Sequence, residues 1–573
     1  MQFEQGPIRG LVDPNGAFLR EVAVAGEEVF RGLGFVARDA NWGTPALSGS
    51  PQITADRTTR IECGGDLSTG TGDLAWSIVW TIDEGAIEGR AEWTSRGGFL
   101  TNRTGFVVLH SLSASRGQPV RVTRPDGRTE TFTFPQLVSP HQPFFDIGAM
   151  AYQTSAGNRL RILFVGEVFE IEDQRNWSDA SFKTYSRPLS LRFPYRISPG
   201  ETQTQTVRVE FAPHSQRGHR SDGSAPIAGE SSTMPLIGTS LSSGRSSNPA
   251  SDALAQLALN FTAIELDPSD ERAIQGIDAK LESAGPSLRI DLLPAGPQAV
   301  LGCLKTLAPK LSGRSLRGMT LWGADDALLE HARRVLGPIQ VGAGSSSNFA
   351  ELNRTRPLPR ADYLAWASNP TVHGNTDDTI GETTEVSEDV LATIEDIAPE
   401  TAFEIGPLTL ASRFGPVATG PEAAEEKEPD PRQGGPIAAA WAVAALAGYL
   451  APSVRALAFF EAFGPNGLVT LSAKMTPEGA VLRRLAGFRG SAARKLRWRH
   501  SPRARGILVE KDAHAFLCIA HCRSETIQLR LPQGDWRIER LAQGGFEPGQ
   551  GVSLGTLTME GFSVYGLSSG PRR

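Results

Sequence analysis

From Pro235 to about residue 490 the chain repeats one pattern, a short apolar run followed by a helix or a long loop. PLIGTSL precedes a helix from about Ser251, FTAIELD a helix from Ser269, SLRIDLL a helix from Pro297 and LRGMTLW a helix from Asp325. PIQVGAG then leads into SSSNFAELN, YLAWASNPTVH into a helix from Ser387, AFEIGPLTL into a helix from Gly434, and VRALAFFEAF into a helix from Pro477. Eight apolar strands in about 260 residues match the number and span that close a parallel (β/α)8 barrel. An open doubly wound sheet competes, but the segment GTSLSSG at the first strand lacks the spacing of a phosphate-binding glycine loop.

The flanks follow a different rhythm. Up to Phe211, runs such as LAWSIVWTI, GFVVLHSL, RLRILFVGEVFEI and TQTVRVEF are punctuated by Gly, Asn and Asp turns, which predicts an N-terminal β-sandwich-type domain over residues 1–215. The polar, Gly- and Ser-rich stretch from His214 to Ser232 reads as a linker, placed at 216–233. The barrel domain is expected over 234–495. GILVEKDAHAFLCIAHC, TIQLRL and FSVYGLSS return to β pattern and predict a small C-terminal β-sandwich over 500–573. The fold class expected is therefore multidomain, α/β plus β.

Composition narrows the function. A net charge of −6 gives no global basic field for nucleic acid, and the basic run GSAARKLRWRHSPRAR (Gly490 to Arg505) reads as a solvated connector. The most apolar segment, Ile437 to Leu450, is 14 residues long, short of the ~20 that cross a bilayer, so it predicts a buried helix and no membrane association. MQFEQGPIRG has no basic region followed by an apolar run, so export is not expected and the location expected is cytoplasmic. Four cysteines are too few for a disulfide framework. Cys518 and Cys522 with His514 and His521 lack the second ligand pair of a zinc site, and no metal or cofactor is expected. GxSxG, HExxH and Walker sequences are all missing, which disfavours the usual serine hydrolases, zincins and P-loop enzymes.

In such a barrel the site forms where the strands end. Polar residues there include Glu265 and Asp267 after strand two, Arg289 and Asp291 on strand three, and Asn348 and Glu351 after strand five. Strand six leads to His373, Asn375, Asp377 and Asp378, strand seven to Thr409 and Arg413, and strand eight to Glu461. Glu461 is the preferred catalytic carboxylate, because an apolar run, ALAFF, presents it just before Gly464. Glu351 is the second. Paired carboxylates suit glycosidic or ester hydrolysis, one activating water while the other protonates the leaving oxygen. His373 and Asn375 are candidate donors to an oxyanion or a hydroxyl, Arg413 a cation for a carboxylate product, and Asp377 and Asn348 further substrate contacts. Each has a structural alternative, such as an ion-paired strand end or a core histidine.

The densest charge lies elsewhere, in EDQRNWSDASFKTYSRPL, where Glu172, Asp173, Arg175, Asn176, Trp177, Asp179 and Lys183 stand in one short pattern. This stretch resembles the signature of the D-apionate lactonases, bacterial proteins of apiose catabolism that hydrolyse D-apionolactone to D-apionate. GFVVLHSL, FPQLVSPHQPFFDI, NFAELNR, SNPTVHGNTDD, PLTLASRF and ALAFFEAFG agree in order, so the resemblance covers most of the chain. SRFGP departs from the SRFNP-like pattern expected, which touches substrate identity more than fold. The resemblance implies an N-terminal β-domain, a TIM barrel similar to those of clan A glycoside hydrolases and a small C-terminal domain. It carries no catalytic assignment. The stretch is expected either to clamp the β-domain against the barrel or to contact substrate through Asp173, Arg175, Trp177 and Lys183, with Trp177 buried among Arg175, Asp179 and Lys183.

Three readings stay open. The first is a lactonase acting on a small sugar lactone, with Glu461 as base on water and Glu351 or an Asp of the 377/378 pair assisting the ring oxygen. The second is a retaining glycoside hydrolase with Glu351 as acid/base and Glu461 as nucleophile. The third is a non-catalytic carbohydrate-binding protein. The oligomeric state is left open.

Overall fold

In a computed structural model, which describes residues 1–214, 225–242, 249–285, 287–413, 428–459, 461–499, 501–549, 552–553 and 555–569, eight parallel strands close into a barrel. They are Leu236–Leu241, Phe261–Leu266, Leu288–Leu292, Leu316–Trp322, Val341–Ser345, Tyr363–Ser368, Phe403–Leu408 and Val454–Phe459. Each strand pairs with the next, and the eighth returns to the first through Leu236 and Ala456. Each apolar run of the sequence has become one strand.

The barrel interior is packed, not hollow. Phe261, Ala263, Ala456 and Ala458 fill one side. On the other, the Tyr363 ring lies over Gly342, where an added Cβ would stand 2.2 Å from it, so strand five carries glycine because strand six brings an aromatic ring against its backbone. Deeper in sit charges. Arg289 donates to Asp291 at 2.8 and 2.7 Å and to Glu404 at 2.8 Å, and Arg317 donates to the same Glu404 oxygen at 2.6 Å. Burial alone would raise the Glu404 carboxyl, but the two guanidiniums outweigh it and hold it below its ordinary value. Arg289 and Asp291, expected at the mouth, thus belong to the ionic filling of the interior.

The helix Pro436–Gly448 is alanine-rich and buried from Ala438 onward. A helix apolar all round needs cover on all sides. It has it, between the helix Pro477–Ala486 and the strands Ser501–Lys511, His514–His521 and Ser563–Ser569. No helix among the described residues is long and apolar enough to cross a membrane.

Those strands belong to a seven-stranded sheet in the order Ile227–Thr233, Ala492–Trp498, Ser501–Lys511, His514–His521, Ser563–Ser569, Trp536–Ala542, Gly545–Pro548. Leu496, Leu517, Ile519 and Leu567 of this sheet share a core with Leu529, Leu557 and Met559 of a three-stranded one. Each such side chain, fully buried, contributes about 1.5–3 kcal/mol. Two expectations change here. Ile227–Thr233, read as linker, is an edge strand paired with Ala492–Trp498, while 216–224 lie outside the described residues. The basic run read as a solvated connector is two paired strands, and Arg503 within it is buried against Glu382 at 3.3 Å and Glu385 at 3.5 Å.

The N-terminal part holds a seven-stranded and a ten-stranded sheet, each built of antiparallel pairs. The Phe35 ring from the first meets Trp76 and Trp93 from the second at 6.0 and 5.1 Å, and Trp80 meets Phe106 at 5.7 Å. His110 lies in that core between Tyr152 and Thr184, at 3.0 and 2.9 Å, and burial pushes it down to about 3, so it stays neutral. The chain divides into two compact units. One comprises Met1–Arg175 and the chain from Ala180 through the strand Thr202–Ala212; the other comprises Asn176–Asp179 with the barrel and the C-terminal strands.

Candidate active site at the barrel mouth

Strand two ends by presenting Glu265, and the exit from strand seven brings Arg413 to it. The guanidinium donates through Nη1 and Nη2 to the two carboxylate oxygens, at 2.7 and 2.8 Å, with both side chains buried. Planar fork and planar carboxylate match, and the pair is among the stronger ionic contacts available to a protein. Arg413, expected to wait for a product carboxylate, is already matched with a carboxylate of the barrel.

Strand five leads through Ser345 to Asn348, the residue just before the helix Phe349–Arg354, so Glu351 falls in that helix's first turn. The Ser345 hydroxyl donates to Glu351 at 3.1 Å. Burial nevertheless dominates and raises the Glu351 carboxyl, against the lowering pull of the backbone N–H groups and Ser345. A carboxyl that keeps its proton above the ordinary range is suited to act as an acid. Asn348 is itself buried, and its side-chain oxygen faces the amide nitrogen of Asn369, from the end of strand six, at 3.4 Å.

Beyond strand six, His373 is reached by the tetrapeptide Asn176–Asp179, which packs as part of the same unit. Asp179 Oδ2 lies 2.6 Å from His373 Nδ1, and the Trp177 indole stands edge-on to the same imidazole at 5.7 Å. The Arg354 guanidinium lies over the same indole at 5.0 Å. Asn353 donates to Asn176 at 2.9 Å, and the Ser178 and Ser368 hydroxyls are 3.0 Å apart. Trp177 is therefore buried against His373 and Arg354, two neighbours the sequence did not point to.

Glu461 is 3% exposed, just past the last strand. Its N–H donates to the Asn466 carbonyl at 3.0 Å and its carbonyl accepts from Leu468 at 2.8 Å, so a tight turn fixes its backbone. A Cβ on Gly464, at φ +128, would stand 2.8 Å from its Oε1, which is why the turn needs glycine there.

Asn375 is exposed, and Asp377 is exposed and accepts from Arg432 at 2.7 Å. Asp173 and Arg175 form a fully buried pair at 2.7 Å in the first unit, where Arg175 also donates to the carbonyls of Pro135, Gln136 and Leu137. Lys183 pairs with Glu172 in the same unit. Cys518 and Cys522 are buried free thiols, and among the described residues no group of three or more His, Cys, Asp or Glu is placed to hold a metal ion.

Sequence reasoning missed Asp179 as a partner of His373, and Glu265 as a partner of Arg413. It also missed Glu478, buried at the start of the helix after strand eight, which accepts from Gln433 at 2.8 Å while Gln433 accepts from the Leu410 N–H at 3.0 Å. Burial pushes Glu478 up to about 8. Asp179 had a signal, its place in the dense motif; nothing in the sequence marked the other two pairings.

Comparison with known proteins bears on the family of the chain. Residues 2–214 match the model of the D-apionate lactonase N-terminal domain, and residues 322–490 that of the D-apionate lactonase TIM barrel domain. A D-apionate lactonase from Brucella anthropi is 28% identical over 534 residues, covering 84% of this chain and 86% of that protein. Among solved structures, a GH30 endoxylanase from Clostridium papyrosolvens C71 covers 60% of this chain and 99% of its own at 11% identity and a TM-score of 0.41. A beta-arabinopyranosidase covers 99% of each chain at 10% identity and a TM-score of 0.36. Likenesses that distant carry no functional weight. Matched by both domain models and by a relative along most of its length, the chain belongs to the D-apionate lactonase family, hydrolases that act on the ester of a lactone.

Proposed function

We propose that the protein hydrolyses a sugar-acid lactone, D-apionolactone to D-apionate, with water activated by a general base at the barrel mouth. The observation that carries this reading is the match to the B. anthropi lactonase along 84% of the chain. The mouth supports it chemically. Hydrolysis of a lactone needs one group to take a proton from water and another to return one to the ring oxygen as the C–O bond breaks. Glu351, whose carboxyl burial keeps protonated above the ordinary range, fits the second role. Amides and hydroxyls from Asn348, Asn369 and Ser345 at the same rim suit a ligand rich in hydroxyls. The four cysteines, buried as free thiols, support a reducing compartment, the cytoplasm. Proton release on addition of D-apionolactone to the purified protein tests the reading; release from aryl glycosides with the lactone untouched sinks it.

A further inference from the structure

All four side chains of the tetrapeptide Asn176–Asp179 engage residues at or beyond the ends of strands five and six. Asn176 meets Asn353, Trp177 meets His373 and Arg354, Ser178 meets Ser368, and Asp179 meets His373. The turn is made at some cost, because Ser178 sits at φ +71, a left-handed conformation that disfavours a non-glycine residue by about 1 kcal/mol. That backbone reversal lets Trp177 and Asp179, on either side of it, converge on one imidazole.

We infer that Asp179 is a positioning residue that fixes His373 as the general base of the lactonase reaction, and this inference rests on the lactonase reading. A carboxylate only accepts hydrogen bonds, so the Nδ1 atom 2.6 Å from Asp179 carries the imidazole hydrogen and Nε2 is the basic nitrogen. The edge-on Trp177 ring hinders rotation of the imidazole out of that tautomeric arrangement. With its side chain 23% exposed, His373 is open enough for a water to approach and enclosed enough to stay oriented. In the reaction Nε2 takes a proton from water as the water oxygen bonds to the lactone carbonyl carbon. The carbonyl–ring-oxygen bond then breaks, the ring oxygen leaves with the Glu351 proton, and the open-chain hydroxy acid is released. The imidazolium returns its proton through solvent, restoring Glu351. Asp179 faces the positive charge that develops on His373.

The test is steady-state kinetics on D-apionolactone for Asp179→Asn, His373→Gln, the double variant and Asp179→Glu, each with its melting temperature. An asparagine amide donates to Nδ1 and moves the ring hydrogen to Nε2, so Asp179→Asn should lower kcat roughly 10²- to 10⁴-fold with KM changed less than about threefold and melting unchanged. The double variant should be no slower than His373→Gln, since the two residues act as one unit, and Asp179→Glu should recover part of the loss. A kcat for Asp179→Asn within about threefold of the parent, or losses that multiply in the double variant, overturns the inference while leaving the lactonase reading intact. If Asp179→Asn does not fold, His373→Gln decides, and a retained kcat overturns the base assignment. A parent protein that leaves every lactone unopened removes the lactonase reading, and the inference with it.

Discussion

Arg413 and Glu265, 148 residues apart in sequence, meet at the barrel mouth in a two-bond fork of 2.7 and 2.8 Å. Lysine cannot reproduce the fork, so Arg413→Lys should lower stability by about 1.5–3 kcal/mol, the worth of one charge-assisted bond. Arg413→Ala leaves the buried Glu265 without that cation and should cost about 3–5 kcal/mol. Urea midpoints for the two variants check the order; a parent-like Arg413→Lys would show that the second bond contributes nothing.

Glu351 should set an alkaline limit to the reaction. Its carboxyl is raised by burial, with Ser345 pulling the other way, and it acts while protonated. The rate constant kcat/KM should fall as pH rises through that raised value, and Ser345→Ala, which removes one stabiliser of the anion, should move the fall to higher pH. Glu351→Gln should slow the reaction roughly 10²- to 10⁴-fold and abolish the limb. A pH–rate profile for the three proteins measures all of this; a limb displaced to lower pH in Ser345→Ala contradicts the assignment.

Glu478 should make the fold less stable as the solution becomes alkaline. Its folded value, about 8, lies above the unfolded value of about 4.3, so the native state holds the proton more tightly than the unfolded chain. Stability is fully present below the unfolded value and declines as pH rises through the window to about 8. Glu478→Gln, which can still accept from Gln433, should therefore be more stable than the parent above that lower bound, with the gap widening to about pH 8 and vanishing in acid. Urea midpoints across pH give the comparison, and a gap that is largest in acid would refute it.

Lys183 should matter to the fold of the first unit. It is buried with Glu172 as its counter-ion, burial lowering the ammonium and Glu172 supporting it. Lys183→Ala should cost about 3–5 kcal/mol by removing the buried counter-ion of Glu172, and pairing it with Glu172→Leu should recover most of that. Thermal melts of the single and double variants test it. A parent-like melt for Lys183→Ala would mean the pair is dispensable.

The barrel was legible because a closed parallel sheet is buried on both faces, so each strand reads as a continuous apolar run, from PLIGTSL to VRALAFF. The C-terminal sheet was misread at its edge because GESST in Ile227–Thr233 is largely exposed and carries the composition of a linker. Arg503 was taken for a solvated charge since its partners Glu382 and Glu385 are some 120 residues away in sequence. The same distance effect governs the site. Periodicity placed Glu265, Glu351, His373, Arg413 and Glu461 at strand exits, but partnership depends on closure of the barrel and on a turn 194 residues before His373. Asn375 and Asp377 follow His373 within four residues and are nonetheless exposed, Asp377 paired with Arg432.

The most direct measurement is pH-stat titration of the purified protein near neutral pH with D-apionolactone, ribonolactone and a panel of aryl glycosides, with and without chelator. Rapid proton release from the branched lactone, accompanied by formation of D-apionate and no glycoside turnover, is the expected result. An intact D-apionolactone in the presence of hydrolysed glycosides would contradict the lactonase account and make the paired-carboxylate glycosidase the working model.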